Sequence, residues 1–172
     1  IGRACVYKFA KEGFRVFFAY KNSDDAANEI SRETGAVSIK ADISVSAEVK
    51  KISDILSRFG GADIIVNNAG VAAQMLFTDI SENEWDRVFN TNVKGMFLVT
   101  KALVPSMINK KSGSIVNVSS MWGVTGGSCE VHYSSSKAAV IGFTKALAKE
   151  LGPSGINVNC IAPGVIDTDM NN

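Results

Sequence analysis

At positions 63–70 the chain reads Asp63-Ile64-Ile65-Val66-Asn67-Asn68-Ala69-Gly70, an apolar run that ends in a turn sequence. A short β-branched run bounded by turn residues is typical of a buried strand. Four similar runs predict further strands at 15–20, 37–41, 114–118 and 156–161. Helical periodicity between them predicts helices at 2–12, 24–34, 46–59, 81–109 and 131–151. Because alternating strands and helices form βαβ units, we predict one α/β domain over residues 1–172, a parallel sheet with helices on both faces.

The composition is that of an ordinary globular chain. Its 172 residues are 46% hydrophobic and 20% charged, and the net charge is +1. The absence of a basic block argues against nucleic-acid or membrane-surface binding, and no bilayer-spanning stretch appears. Three widely spaced cysteines, Cys5, Cys129 and Cys160, predict free thiols in a reducing compartment. We therefore expect a cytoplasmic protein with no metal site, since His132 is the only histidine.

Tyr133 and Lys137 are four residues apart in a predicted helix, so they lie on one face. A phenol has an ordinary pKa of about 10, and a nearby ammonium favours its ionised form. Ser120 lies at the end of a predicted strand, so its hydroxyl can approach both the Tyr133 phenol and the Lys137 ammonium. This arrangement predicts a carbonyl reductase in which Tyr133 exchanges a proton with a carbonyl oxygen. The pair alone is also typical of a lysine stem packed on a surface ring.

Neighbouring motifs distinguish these readings. In chain order they are Asn67-Asn68-Ala69-Gly70, Asn90-Thr91-Asn92-Val93-Lys94-Gly95, the set of Ser120, Tyr133 and Lys137, the run from Asn157 to Gly164, and Thr168-Asp169-Met170. Together they resemble the short-chain dehydrogenase/reductase family along the whole chain, above all its 3-oxoacyl-acyl-carrier-protein reductases and its glucose/ribitol dehydrogenase group. The resemblance implies a doubly wound, Rossmann-like α/β/α sheet that transfers hydride between nicotinamide and a carbonyl or secondary alcohol. It also implies four catalytic residues, Asn92, Ser120, Tyr133 and Lys137, with Asn92 holding a water of a proton relay.

Both ends lack parts of the family pattern. Ile1-Gly2 resembles the end of the family's glycine-rich turn, so the first strand and first glycines are missing, although that strand lies in the middle of such a sheet. Substrate-side helices and the last strand are missing after Asn172. We therefore expect residues 1–172 to be an incomplete dinucleotide-binding catalytic domain of a longer chain.

The end of the second strand of the family decides between NADP and NAD. A carboxylate there would bind the ribose 2′-hydroxyl, whereas a basic residue suits a 2′-phosphate. The chain has Lys21 and Ser23 with no carboxylate before Asp24, so we favour NADP(H), with NAD(H) as the alternative. Lys21 could also be a solvated loop charge, and Asp42 a helix N-cap. The remaining cofactor residues that the resemblance implies are Ile1, Gly2, Asp42, Ile43, Asn68, Ala69, Gly70, Tyr133, Lys137, Pro163, Gly164, Ile166 and Thr168.

The substrate pocket is expected between the catalytic serine and tyrosine, at Ser120, Met121, Trp122 and Cys129. A 3-oxoacyl thioester is the favoured substrate, either small or carrier-bound. Ser128-Cys129-Glu130-Val131-His132 departs from the usual pattern and resembles bacterial reductases proposed to reduce an aminopentanone modification on elongation factor P. That reaction and sugar or polyol oxidation are the alternatives. His132 points away from Tyr133 at i+1, so we expect it to be structural.

Two readings of other classes remain open. Ser134-Ser135-Ser136-Lys137 matches the Ser-x-x-Lys pattern of penicillin-binding acyl enzymes, but the partner motifs Ser-Asp-Asn and Lys-Thr-Gly are absent. The chain could instead be a non-catalytic, cofactor-binding regulatory protein. The resemblance also implies a homodimer or homotetramer formed through helices 81–109 and 131–151, the second of which is rich in small residues.

Overall fold

The computed structural model describes residues 1–167, which form five strands and seven α-helices. The strands are β1 Phe17–Tyr20, β2 Val37–Lys40, β3 Ile64–Asn67, β4 Gly113–Val118 and β5 Ile156–Ile161. The helices are α1 Gly2–Lys11, α2 Asp24–Thr34, α3 Ser46–Ser57, α4 Glu82–Phe89, α5 Met96–Lys110, α6 Trp122–Thr125 and α7 Val131–Leu151. Short 3₁₀ turns lie at Phe77–Asp79 and Gly152–Ser154.

All strand pairs within residues 1–167 are parallel, which confirms the predicted fold class. β1 pairs with β2, and β4 lies between β3 and β5. Ile115 of β4 is in register with Ile65 of β3 and with Val158 of β5. Because the strands are parallel, their carboxyl ends share one edge of the sheet, where ligands bind in open α/β folds.

The sheet is in two parts, with a cavity between β1 and β3. The cavity has a volume of about 690 Å³, and its apolar lining includes Phe18 of β1, Ile65 of β3 and Val6 of α1. β1 and β3 are each paired on one edge only. They flank the position where the family resemblance places a further strand.

The helix predicted over 81–109 is present over residues 82–110, but it is not α-helical throughout. Residues Asn90–Gly95 form a π-helical segment between α4 and α5. The physical reason lies in Asn92, whose buried side chain bonds the backbone of Val71 rather than facing solvent. Such π-bulges widen one turn of a helix and are frequent at functional sites.

The main core lies around β3, β4 and β5. Ile115, Met107 and Ile156 are almost completely buried there, and burial of each such side chain is worth about 1.5–3 kcal/mol. This core supports the strand ends from which the predicted site residues project. Over residues 1–167, no helix has the length and apolarity needed to cross a bilayer.

Candidate active site

The predicted catalytic residues meet where β4 ends. Ser120 follows β4 by two residues and is buried. The chain beyond β4 stays paired with the chain beyond β5, because Ser119 N donates to Ile161 O at 2.8 Å and Met121 N donates to Pro163 O at 2.9 Å. The loops after the two strands are thus held together at the carboxyl edge of the sheet.

Tyr133 lies in the first turn of α7 and its phenol is partly buried. Burial raises the pKa of the Tyr133 phenol above its usual value, the interaction with the Ser120 hydroxyl opposes that rise, and the Glu130 carboxylate adds to it. A neutral phenol is a proton donor, so this environment keeps Tyr133 in the form that protonates a carbonyl oxygen. The interaction also identifies Ser120 as a neighbour of the phenol.

Lys137 is 4% exposed, and its Nζ lies 5.7 Å from the centroid of the Tyr133 ring. Nζ donates a hydrogen bond of 2.8 Å to the carbonyl oxygen of Val118. Burial lowers the pKa of the Lys137 ammonium to about 8, with a partly opposing influence from Cys160. The effect of Lys137 on the pKa of the Tyr133 phenol stays a prediction, because the influences on that pKa in this arrangement are burial, Ser120 and Glu130.

Asn92 connects the π-helical segment to the loop after β3 and to α7. Its Oδ1 accepts from Val71 N at 2.8 Å, and its Nδ2 donates to Val71 O at 2.9 Å and to Ser136 Oγ at 2.9 Å. Ser136 Oγ in turn donates to the carbonyl oxygen of Tyr133 at 2.7 Å. Asn92 is therefore adjacent to the catalytic helix, as predicted, while its role in a water relay stays a prediction.

Two predicted cofactor glycines lie close to other side chains, so an added Cβ would make tight contacts. A Cβ on Gly70 would lie 3.2 Å from Asn92 Oδ1 and 3.3 Å from Lys137 Nζ, and one on Gly2 would lie 2.6 Å from Asn68 Nδ2. Close backbone approach at a strand end and a helix N-terminus fits the phosphate and ribose of a dinucleotide. The residues after β3 and at the start of α1 therefore fit the expected cofactor.

The residues predicted to bind the adenosine end lie at the ends of β1 and β2. Lys21 Nζ lies 2.7 Å from Asp42 Oδ2, and the Lys21 ammonium, with the Ser44 hydroxyl, lowers the pKa of Asp42 to about 2. Ser23 is exposed just before α2. Ile43 packs close to Gly95 of the π-helical segment. Lys21 is thus paired with a second predicted cofactor residue, which the sequence did not indicate.

The other predicted cofactor residues occupy the two ends of the described chain. Ile1 and Ile166 are each 41% exposed, and Pro163 is held by its carbonyl contact with Met121. A Cβ on Gly164 would lie 3.7 Å from the sulfur of Met121. Thr168 lies outside the described residues.

The predicted substrate pocket is a loop and the short helix α6. Trp122 begins α6, and a Cβ on Gly127 would lie 2.9 Å from its indole ring. Cys129 adopts a left-handed φ of 60°, and its carbonyl oxygen accepts a hydrogen bond of 2.9 Å from Met75 N. Sequence reasoning missed Met75, because a backbone contact across 54 residues leaves no signal in residue type.

The acyl-enzyme reading receives no support from the side-chain contacts. Ser134 Oγ accepts a hydrogen bond from Gly127 N at 3.0 Å, whereas Lys137 Nζ donates to Val118 O. The serine and the lysine thus have separate partners. Within residues 1–167 no three metal-binding side chains cluster, and the three cysteines have no disulfide partner there.

The chain is similar to known proteins over its whole length. A family model described as short chain dehydrogenase matches residues 1–172. The 3-oxoacyl-acyl-carrier-protein reductase FabG of Staphylococcus epidermidis is 39% identical over 178 residues, covering 100% of this chain and 73% of that protein. FabG of Chlamydia muridarum is 40% identical over 179 residues, covering 99% of this chain and 71% of that protein.

A solved structure is similarly close. The crystal structure described as ribose-5-phosphate isomerase from Brucella melitensis 16M matches with a TM-score of 0.92 and 34% identity. The match covers 99% of this chain and 66% of that one. The chain therefore spans about two thirds to three quarters of the proteins it resembles.

Proposed function

The chain belongs to the short-chain dehydrogenase family of oxidoreductases, and from this premise we propose that it reduces a 3-oxoacyl thioester with a nicotinamide cofactor, acting on carrier-bound substrate. The observation that carries this proposal is the meeting of Ser120, Tyr133, Lys137 and Asn92 at the end of β4. The FabG relatives support the substrate class, because 3-oxoacyl reduction is what their name states. The isomerase name of the solved structure does not extend to this chain, since the family model describes a dehydrogenase.

The site residues divide the reaction between them. The Ser120 hydroxyl donates a hydrogen bond to the substrate carbonyl oxygen and orients it. Tyr133 gives its phenolic proton to that oxygen in reduction and takes it back in the reverse direction. Lys137 and a water held by Asn92 would form the relay that returns a proton to the phenol. The nicotinamide, when bound, supplies or accepts the hydride.

The residues that would hold the cofactor are spread along the carboxyl edge of both parts of the sheet. Ile1 and Gly2 would lie at the pyrophosphate, and Asn68, Ala69 and Gly70 at the ribose. Pro163, Gly164 and Ile166 would lie at the nicotinamide, and Lys21, Ser23, Asp42 and Ile43 at the adenosine. Lys21 supports a preference for NADP(H), although its ion pair with Asp42 must open before it can hold a 2′-phosphate.

We propose a cytoplasmic homodimer or homotetramer. The support is the surface of α5 and α7, where Phe97 of α5 is 42% exposed and small residues of α7, including Ala138 and Gly142, face outward. Such a surface permits close helix packing between copies. Sedimentation velocity should give a dimer or tetramer, and a strict monomer would contradict this part of the proposal.

The substrate proposal is tested on the full-length protein by NADPH oxidation with carbonyl substrates and by NADP⁺ reduction with sugars and polyols. Acetoacetyl thioesters should react with the highest kcat/KM, ahead of simple ketones, sugars and polyols. A higher kcat/KM with sugars or polyols would favour the glucose/ribitol-type alternative. Cys129 and Glu130 depart from the common family pattern. Reduction of an aminopentanone is therefore the third reaction to be tested. No turnover with any carbonyl would favour the non-catalytic reading.

A further inference from the structure

His132 is completely buried, although it carries a polar imidazole. Its side chain is 0% exposed, and neither ring nitrogen has a hydrogen-bond partner among residues 1–167. Its nearest charged neighbour is Glu84 of α4, with 3.8 Å between Nε2 and Oε1, which is longer than a hydrogen bond. Burial of polar atoms without partners is unfavourable, so an apolar residue would suit simple packing better than histidine.

The contact with Glu84 continues to the loop after β3. Arg87 donates two hydrogen bonds to the Glu84 carboxylate, one of 2.6 Å from Nη2 and one of 2.8 Å from Nε. Arg87 Nη2 also donates to the carbonyl oxygen of Ala72 at 3.3 Å. The Arg87 guanidinium keeps the pKa of Glu84 below its usual value, and His132 contributes in the same direction. Hydrogen bonds thus connect Glu84 through Arg87 to the backbone of Ala72, and His132 approaches this network at 3.8 Å from the Glu84 carboxylate.

A second connection joins the same turn of α7 to the neighbouring loop residue. It runs from Ser136, which donates to the Tyr133 carbonyl, through Asn92 to both backbone atoms of Val71. The connection on the His132 side ends at Ala72, and the connection that begins at Ser136 ends at Val71. His132 and Ser136 lie one residue before and three residues after Tyr133. Gly70, the residue before Val71, lies close to Lys137.

We infer that His132 is a positioning residue, which acts through Glu84 and Arg87 to hold the loop Gly70–Ala72 against the helix that carries Tyr133. The connection through Asn92 fixes Val71, and the connection through Glu84 and Arg87, against which His132 lies, fixes Ala72. A loop held at two successive residues has little freedom to move away from Lys137. The inference rests on the proposed function for its kinetic consequence only, because the effect on the loop is independent of any reaction.

The test compares four variants and one control variant with the parent protein. His132→Phe removes both ring nitrogens, and His132→Gln restores a polar nitrogen near the position of Nε2. Arg87→Met removes the guanidinium that joins Glu84 to Ala72. Because the Arg87 side chain is exposed, we expect this variant to fold. The double variant His132→Phe/Arg87→Met tests coupling. Arg32→Met, which removes another exposed arginine, is the control.

Hydrogen exchange measured on a peptide that contains Val71 reports on the loop. We expect exchange to quicken at least fivefold in His132→Phe and in Arg87→Met, and no further in the double variant, because both act on one connection. His132→Gln and Arg32→Met should stay within twofold of the parent. With acetoacetyl-CoA as the probe substrate, the KM for NADPH should rise about fivefold in the same variants, while kcat changes less than twofold.

Several outcomes would overturn the inference. These are unchanged exchange in either His132→Phe or Arg87→Met, additive effects in the double variant, and a His132→Gln variant that behaves like His132→Phe. If His132→Phe does not fold, Arg87→Met and His132→Gln decide the question alone. A parent protein that does not reduce acetoacetyl-CoA would count against the proposed substrate, whereas the exchange results would still decide the role of His132.

Discussion

Lys137 donates a hydrogen bond of 2.8 Å to the carbonyl oxygen of Val118, the last residue of β4. A second bond joins the same two elements, because Ser119 Oγ donates to the carbonyl oxygen of Lys137 at 2.7 Å. The helix that carries Tyr133 and the turn that carries Ser120 are therefore fixed to each other. This double attachment makes the relative position of the phenol and the serine hydroxyl a property of the fold.

Replacement of Tyr133 by Phe should remove reductase activity. The aromatic ring that packs at the site remains, but the proton donor is lost, so we expect kcat to fall by about 10²–10⁴. NADPH affinity, measured by fluorescence titration, should stay within a few-fold of the parent. Tyr7→Phe, in α1 far along the chain, is the control. Retained turnover in Tyr133→Phe would refute the catalytic assignment.

The Lys137→Met variant should change how stability depends on pH. The pKa of Lys137 is about 8 when folded and about 10.4 when unfolded, so between these values the unfolded chain binds the additional proton. The free energy of unfolding of the parent therefore rises with pH across this window, relative to Lys137→Met, by roughly 1.4 kcal/mol per pH unit. Denaturant unfolding at pH 7.5, 8.5 and 9.5 measures this difference.

Lys145→Met, an exposed change on the same helix, should follow the parent at all three pH values. A difference between parent and Lys137→Met that stays constant with pH would contradict the lowered pKa of Lys137.

Gly70→Ala should lower the activity of the protein more than its stability. Its Cβ would press on Asn92 Oδ1 at 3.2 Å and on Lys137 Nζ at 3.3 Å, and both atoms are held by other hydrogen bonds. We expect kcat/KM to fall at least tenfold. Gly152→Ala is the matched control, since nothing lies within 4 Å of its Cβ and its φ of −51° suits alanine. Equal activities of the two variants would show that Gly70 tolerates a side chain.

The Lys21–Asp42 pair should control the preference between the two cofactors. Asp42→Asn releases Lys21 for a 2′-phosphate, so the ratio of kcat/KM for NADPH over NADH should rise about fivefold, because an exposed ion pair is worth up to about 1 kcal/mol. Lys21→Ala should lower the same ratio. The ratio cancels any effect of Asp42 on adenine binding, which both cofactors share. Lys8→Ala serves as the control, and a ratio that neither substitution changes would count against NADP selection by Lys21.

Local pattern predicted most of the elements. Helix 131–151, helix 24–34 and strand 156–161 have the bounds expected from the sequence. Periodicity and end signals act over a few residues, as at Gly35, whose left-handed backbone (φ 71°) ends α2. The π-helical segment escaped prediction, because it depends on hydrogen bonds between Asn92 and Val71. No short-range pattern reports a contact across 21 residues.

The parallel α/β order and the residue types of the site follow from local sequence, since helical spacing places Tyr133 and Lys137 on one face and strand ends carry Ser120 and Asn68–Gly70. Long-range packing set the surroundings of these groups: Lys137 bonds Val118, Lys21 pairs with Asp42, and His132 lies near Glu84. The physical reason is that burial and hydrogen bonding depend on which distant segments pack together. Burial raises the pKa of Tyr133 and lowers that of Lys137, and residue spacing alone does not report how deeply a side chain is buried.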